Sequence, residues 1–464
     1  MSPLTGAKSR ASWIPTFAKR DCPFEIKIDR HFESKVYTSG SAVSGSLTVT
    51  PPGDMSFAAF DVVFTGASST VVQMLQGDLP PSRHTFLELK MPSPQDALPP
   101  SLEAGRPYTV PFSFVIPYQL PSASCKHRNP AVHDRHLQLP PTVGGWERDD
   151  LTVHSVQIGY AVKARAVLEG KKNGKPVTIQ NSHPIKVMPF LTEQPPLHIN
   201  PRSTMYRMSQ EKMVRKDLVS SKMGYLSAMA TQPDPIILSA DKLEASTSFI
   251  RVDLDFIPTS SKIRPPEIHA RSAHIQALTT YSSGHIGFLP DQNPRPLIMT
   301  HPILPFFISK EISLSKPWNL AWRQQIGPLS ASSSRRASET TSDGSEMGEG
   351  LDMAMPRRGS KSDDLIKSGS TKHTATLKIP FTLPCPEKKV FLPTFHTCLL
   401  SRTYTLHLVL TVGSHGSSLS LTIPVQVAVE GRNIPPESGL PTFAQVEMNE
   451  EFEVEMLPAY EVVV

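Results

Sequence analysis

Cysteine is scarce, with four residues in a chain of 464. Cys22, Cys125, Cys385 and Cys398 stand too far apart for the disulfide framework of a secreted domain, and no C-x-x-C pair occurs. They read as reduced thiols of a cytosolic protein. No apolar run reaches the ~18–20 residues that cross a bilayer, and no apolar core near the N-terminus suits a secretory signal. The first twenty residues carry Lys8, Arg10, Lys19 and Arg20 and no acid, but Pro3 and Pro15 interrupt any amphipathic helix there. Charge is balanced, 47 basic against 42 acidic residues for a net +5, with no dense basic block interleaved with aromatics. That pattern weighs against nucleic-acid binding. Catalytic signatures are missing as well: no G-x-S-x-G, G-x-G-x-x-G, P-loop or H-E-x-x-H string is present. No catalytic residue, cofactor site or metal site is therefore assigned.

Proline is the residue in excess, at 46 of 464, about twice the usual share. An interior proline costs a helix about 3 kcal/mol, so long helices and coiled coils are excluded. Strand ends and connecting loops tolerate proline, which points to an all-β protein.

Period-two alternation supports that reading. Val43, Gly45, Leu47 and Val49 alternate with Ser44, Ser46, Thr48 and Thr50, and Phe60, Val62 and Phe64 line the next candidate strand. Tyr108, Val110, Phe112, Phe114 and Ile116 form another set, and the alternation from Val156 to Leu168 spans thirteen residues. Successive side chains of a strand face opposite ways, so each segment offers one apolar face to a core. Asn173-Gly174 predicts a tight hairpin, because that pair accepts the positive φ angles of a type I′ turn. Alternation returns at Val252, Leu254 and Phe256, at Tyr404 to Val412, and at Leu419 to Val429, with a second hairpin predicted at 413–416.

The expected fold is all-β, two tandem immunoglobulin-like antiparallel β-sandwiches. The expected divisions are a disordered leader 1–21, a first sandwich 22–190, a connector 191–234, and a second sandwich 235–432. Residues 329–372, rich in Ser, Gly and mixed charge, interrupt the second sandwich; no aromatic residue occurs from Arg323 to Lys378. A stretch of this composition buries too little apolar surface to offset its ordering entropy and is expected to be disordered. Residues 433–464 form an acidic tail with seven glutamates and no Lys or Arg, also expected to be unfolded.

Particular strings narrow the field. Tyr37 to Val49 (YTSGSAVSGSLTV) and Phe60 to Gly66 (FDVVFTG) resemble the opening strands of the arrestin N-terminal domain. Pro111 to Pro117 (PFSFVIP) is similar to its F-x-F-x-hydrophobic-P strand. Leu120 to Cys125, His136 to Pro141 and Gly145-Trp146 resemble the loop that follows in fungal-type α-arrestins. Val156 to Ala164 resembles the next core strand. In the second half, Pro393-Thr394-Phe395 through Ser401 to Leu406 and then Pro424 to Val427 resemble late strands of the arrestin C-terminal domain. The resemblance covers about residues 24–190 well and 235–430 loosely. It implies a binding protein rather than an enzyme: a cytoplasmic adaptor, transiently at the plasma membrane or endosomes. Such an adaptor would link cytoplasmic regions of membrane transporters or receptors to a WW-domain HECT-type ubiquitin ligase. An arrestin-like signalling or endosomal-sorting scaffold without ligase recruitment is the alternative, and a β-sandwich enzyme with an unrecognised site is the third reading.

Leu457-Pro458-Ala459-Tyr460 in the acidic tail resembles the L/P-P-x-Y ligands of WW domains. Proline biases the segment toward polyproline II, so docking in an aromatic groove costs little entropy, and Tyr460 fills a second pocket. Leu440-Pro441-Thr442-Phe443 lacks the tyrosine hydroxyl. Arg335-Arg336-Ala337-Ser338 and Arg357-Arg358-Gly359-Ser360 each set two guanidinium groups before a serine, as basophilic kinases prefer. Phosphate on Ser338 or Ser360 would add about −1.5 to −2 charge and create a site for phosphoserine readers such as 14-3-3 proteins. Cys125, His127, His133 and His136 cluster in one loop, but C-x-H-x5-H-x2-H is not a standard zinc spacing and a second half-site is lacking in sequence. Packing and loop hydrogen bonds are the expected role of these four. Lys171, Lys172 and Lys175 around the Asn-Gly pair are expected on a solvated turn.

Overall fold

The computed structural model describes residues 22–430, apart from 76, 93, 173–174, 192–195, 200–202, 216–221, 240–244, 293–300, 315–319, 327–370, 385–388 and 414–416, together with 461–462. The leader 1–21 lies outside the described residues. In the N-terminal half the strands are β1 (Phe24–Ile28), β2 (Val36–Tyr37), β3 (Ala42–Val49), β4 (Phe57–Thr70), β5 (Gln73–Met74), β6 (Gly77–Asp78), β7 (Ser82–Lys90) and β8 (Tyr108–Val115). A short helix, α1 (Pro130–His136), precedes β9 (Val156–Lys172) and β10 (Lys175–Val187). The C-terminal half holds β11 (Ser209–Arg215), β12 (Lys222–Ala230), β13 (Ile236–Leu238), β14 (Ser248–Pro258), β15 (Ile268–Ser282), β16 (Ile303–Ile312) and β17 (Arg323–Ile326). It continues with β18 (Thr371–Phe381), β19 (Phe395–His396), β20 (Leu400–Val412), β21 (Ser417–Val425) and β22 (Val427–Val429), and β23 (Glu461–Val462) closes the series. The chain is all-β, as its alternation predicts.

Pairing is overwhelmingly antiparallel. A three-stranded sheet, β1-β3-β8, faces a six-stranded one, β2-β10-β9-β4-β7-β23. Aromatic rings join the two: Phe24 meets Phe60 with ring centres 6.1 Å apart, and Phe64 meets Phe114 at 6.1 Å. Fully burying a side chain of this kind contributes about 1.5–3 kcal/mol. In the C-terminal half β11-β12-β14-β18-β17 form one sheet, while β16-β15-β20-β19 form another with β21 also on β20. The alternation appears directly as burial: Val43, Leu47 and Val49 of β3, and Ile250, Val252, Leu254 and Phe256 of β14, are all enclosed. Buried apolar side chains form one connected set that runs through both halves.

Both predicted hairpins are present. Lys172 pairs with Lys175 across 173–174, and Val412 pairs with Ser417 across 413–416. Gly66 sits at an irregularity in β4, where a Cβ would stand 2.8 Å from the Tyr160 ring. Only glycine lets the strand lie against that ring.

Three expectations need correction. Prolines are not confined to strand ends: Pro111 lies inside β8, Pro305 inside β16 and Pro424 inside β21. β8 and β16 lie at sheet edges, where a missing N–H is tolerated, whereas β21 is flanked by β20 and, at Thr422, by Arg207. The insertion 329–372 ends two residues sooner than expected, because Thr371 and Lys372 already belong to β18 and pair with β17. Its serine motifs lie outside the described residues. The tail, expected to be unfolded throughout, contributes β23: Glu461 stands opposite Lys90 and Val462 opposite Leu89. The outer edge of β7 otherwise presents unpaired N–H and C=O groups, which any extended segment within reach can satisfy.

Candidate functional site between the two halves

The turn between β19 and β20, and the first residues of β20, press against a loop of the N-terminal half. Arg402 is the centre of this contact and is 0% exposed. Its Nε donates to Thr279 Oγ1 at 3.0 Å, within the C-terminal half. Its two terminal nitrogens cross to the other half: Nη1 donates to the Asp150 carbonyl at 3.1 Å, and Nη2 to the Leu151 carbonyl at 3.1 Å and to Thr152 Oγ1 at 2.6 Å. Inward-phase neighbours on β20, Tyr404 and Leu406, are apolar or nearly so, which leaves the guanidinium dependent on these oxygens.

The receiving loop is shaped for the task. Leu151 has φ +58°, a left-handed conformation that a branched side chain rarely adopts. Asp149 Oδ1 accepts the Leu151 N–H at 3.0 Å, an Asx turn that holds the kink and aims two successive carbonyls at Arg402. The Asp150 carboxylate, also fully buried, accepts the Gly144 N–H at 2.6 Å. Its second oxygen, Oδ1, has no hydrogen-bond partner among the described residues. Further polar ties cross the junction: Thr70 Oγ1 donates to the Ser282 carbonyl at 2.6 Å, Ser82 Oγ to the Ser283 carbonyl at 2.5 Å, and the Val390 N–H to the Asp149 carbonyl at 3.0 Å.

Beside this network lies a second cluster. Cys125 follows a 3-10 turn (Ser122–Ser124), and His136 is the last residue of α1, which starts at Pro130 behind an Asn129 cap. His127 Nδ1 is 3.0 Å from Cys125 Sγ, and His136 Nδ1 is 3.7 Å from the same sulfur. Cys398, from the β19–β20 turn, brings its sulfur to 3.6 Å from His136 Nδ1. Burial, followed by the nearby His127, His396, His285 and His84, pushes His136 down to about 3, so its ring is neutral. Burial and the adjacent Cys125 raise the Cys398 thiol well above its ordinary value.

His133 does not join the group; its Nε2 lies 3.3 Å from the Ser122 carbonyl. In place of His133, the structure brings to the cluster a cysteine 262 residues from His136 in sequence. No local signal pointed to Cys398. Arg402 had one: an arginine in the inward phase of an otherwise apolar alternating strand. The tail motif residues Leu457, Pro458 and Tyr460 and the serines Ser338 and Ser360 lie outside the described residues. A separate concavity of about 1230 Å3 opens in the N-terminal half, lined by His31, Trp146, Tyr160, His183 and Lys186 among others. Burial, then His183, Lys35 and Lys186, lowers the His31 pKa there. No protein-family model matches the chain, and no curated protein matches it.

Proposed function

We propose that this chain is an arrestin-like adaptor that links membrane cargo, a transporter or receptor, to a WW-domain HECT-type ubiquitin ligase for ubiquitination and endocytosis. The observation that carries the reading is the junction. Apart from β23, strands group by chain half, and a buried polar contact centred on Arg402 joins the halves beside their shared apolar core. Polar contacts of this kind resemble interfaces that form and part, and a clasp needs two bodies whose relation can change. The family strings and the tail motif supply the rest. In this reading the protein performs no bond chemistry; it raises the effective concentration of ligase beside cargo lysines. Phosphorylation of Ser338 and Ser360 would regulate it, with 14-3-3 proteins as readers. It would act in the cytoplasm and meet membranes peripherally; no helix among the described residues is long and apolar enough to cross one.

One observation favours the scaffold alternative. Residues 461–462, directly after Tyr460, are paired as β23 with β7, whereas a WW ligand must be free to enter its groove. Affinity purification of the full chain and of Tyr460→Ala separates the two. Ligase and cargo both recovered with the wild type, and cargo alone with the variant, is the adaptor result. Equal recovery of ligase, or none with either, overturns ligase recruitment through this motif. Deletion of 445–464 that leaves cargo turnover normal assigns the scaffold role.

A further inference from the structure

We propose that Cys125, His127, His136 and Cys398 form a structural zinc site that staples the two halves of the chain together. One ligand atom from each of the four lies within 4.8 Å of every other. With Zn–S near 2.3 Å and Zn–N near 2.0–2.1 Å, a tetrahedral centre sets sulfur and nitrogen ligands about 3.5 Å apart. Three of the four sulfur–nitrogen distances are 3.0, 3.7 and 3.6 Å, and the fourth is within 4.8 Å. The donors therefore converge on a space of the size of one coordination sphere.

The donor set chooses the metal. Two sulfurs and two imidazoles suit a borderline cation of tetrahedral habit, and exclude magnesium and calcium, which take oxygen. Four protein ligands fill the coordination sphere, which marks a structural rather than a catalytic centre. Charge favours burial as well. Binding releases the two thiol protons to solvent, and one Zn2+ with two thiolates and two neutral imidazoles carries no net charge. Cys125, His136 and Cys398 are 5%, 3% and 2% exposed, so a charged centre would be costly there.

The ligands are also held in place before any ion arrives. Ser124 Oγ donates to the Phe86 carbonyl at 2.6 Å and fixes the turn that carries Cys125. The Cys398 carbonyl accepts the Ile286 N–H at 2.8 Å, and Thr397 Oγ1 donates to the Leu400 carbonyl at 2.8 Å, which locks the turn on the other half. The His127 and His136 rings stand edge to face with centres 4.9 Å apart. His285 lies beyond His127, its ring centre 5.8 Å away and tilted by 44°. Neither cysteine is in a disulfide. Because three ligands come from one half and the fourth from the other, loss of the ion or oxidation of its thiolates would remove a cross-link between them.

The test uses the full-length chain, produced with a tag free of histidine and purified without chelator. Elemental analysis should find about one zinc per chain in the wild type and in Cys22→Ser, a thiol outside the cluster, and less than about a tenth of that in Cys398→Ser. Replacing zinc by Co2+ in the wild type should give the visible bands of tetrahedral cobalt and thiolate-to-cobalt charge transfer, which needs no variant to fold. His127→Ala, at the half-exposed position, should weaken retention against a chelator at least tenfold while leaving circular dichroism unchanged. Wild-type protein with no bound zinc and no tetrahedral cobalt spectrum overturns the proposal. So does mass mapping that finds Cys125 and Cys398 joined as a disulfide in freshly purified protein. Zinc content reads out whether or not the tail recruits a ligase.

Discussion

Arg402 and Cys398 lie four residues apart and cross the same junction, yet they meet it in opposite ways. Arg402 brings a fixed positive charge and finds four oxygens waiting, two of them carbonyls turned inward by the Leu151 kink. Cys398 brings a weak donor and finds another thiol and two imidazoles, groups that do little for one another without a cation between them. A buried charge held by four hydrogen bonds needs nothing from outside the chain, whereas a nest of soft donors is poised for a cation. The contrast teaches how one short segment supports two kinds of junction, one made by the chain's own groups and one conditional on a metal.

The comparison can be broken at Arg402 first. Arg402→Met leaves the Leu151 carbonyl buried without its donor and the Asp150 carbonyl with only the Thr152 hydroxyl at 3.3 Å, and should cost about 3–5 kcal/mol by urea denaturation. A loss under about 1 kcal/mol would mean that the network is not what holds the halves. At the other site, zinc at about a hundred times its Kd should raise stability by about 2.7 kcal/mol in metal-stripped wild type and by nothing in Cys398→Ser. Thr152→Val keeps the shape but removes the oxygen 2.6 Å from Arg402, and should cost about 1.5–3 kcal/mol.

The smallest effect belongs to an exposed pair that marks the other extreme. Lys186 hydrogen-bonds Glu147, and that bond, against the opposing pull of burial, holds the Glu147 carboxyl below its usual range. A carboxyl depressed on folding stabilises the protein above its unfolded pKa and loses that contribution as pH falls through the folded value. Glu147→Gln should therefore change stability by less than about 1 kcal/mol at pH 7, and by less still at pH 3. A larger change at pH 7 would place Glu147 with the buried groups rather than apart from them.

Much of the fold was legible. The inward residues of β3, β9, β14, β20 and β21 are those that alternation selects, and the Asn-Gly hairpin falls where its turn chemistry requires. Proline's place inside strands such as β8 and β16 was not legible, because it depends on which side of the strand has a neighbour. That is a property of sheet order, invisible in a local window. The site was legible only in fragments. The loop histidines and Cys125 are close in sequence, but proximity in sequence does not separate His133 from the cluster, and nothing local to Cys398 ties it there.

The chain's own order of residues decides that it is built of strands, which faces turn inward and where several hairpins close, because each depends on steric and hydrophobic preferences acting over a few residues. Tertiary structure alone decides that Arg402 meets the Asp150–Thr152 loop, and that Cys398 completes the ring begun by Cys125, His127 and His136. Those partners lie some 250 residues apart. Contacts at that range come from how whole sheets stack, and no local pattern encodes which buried group will face which.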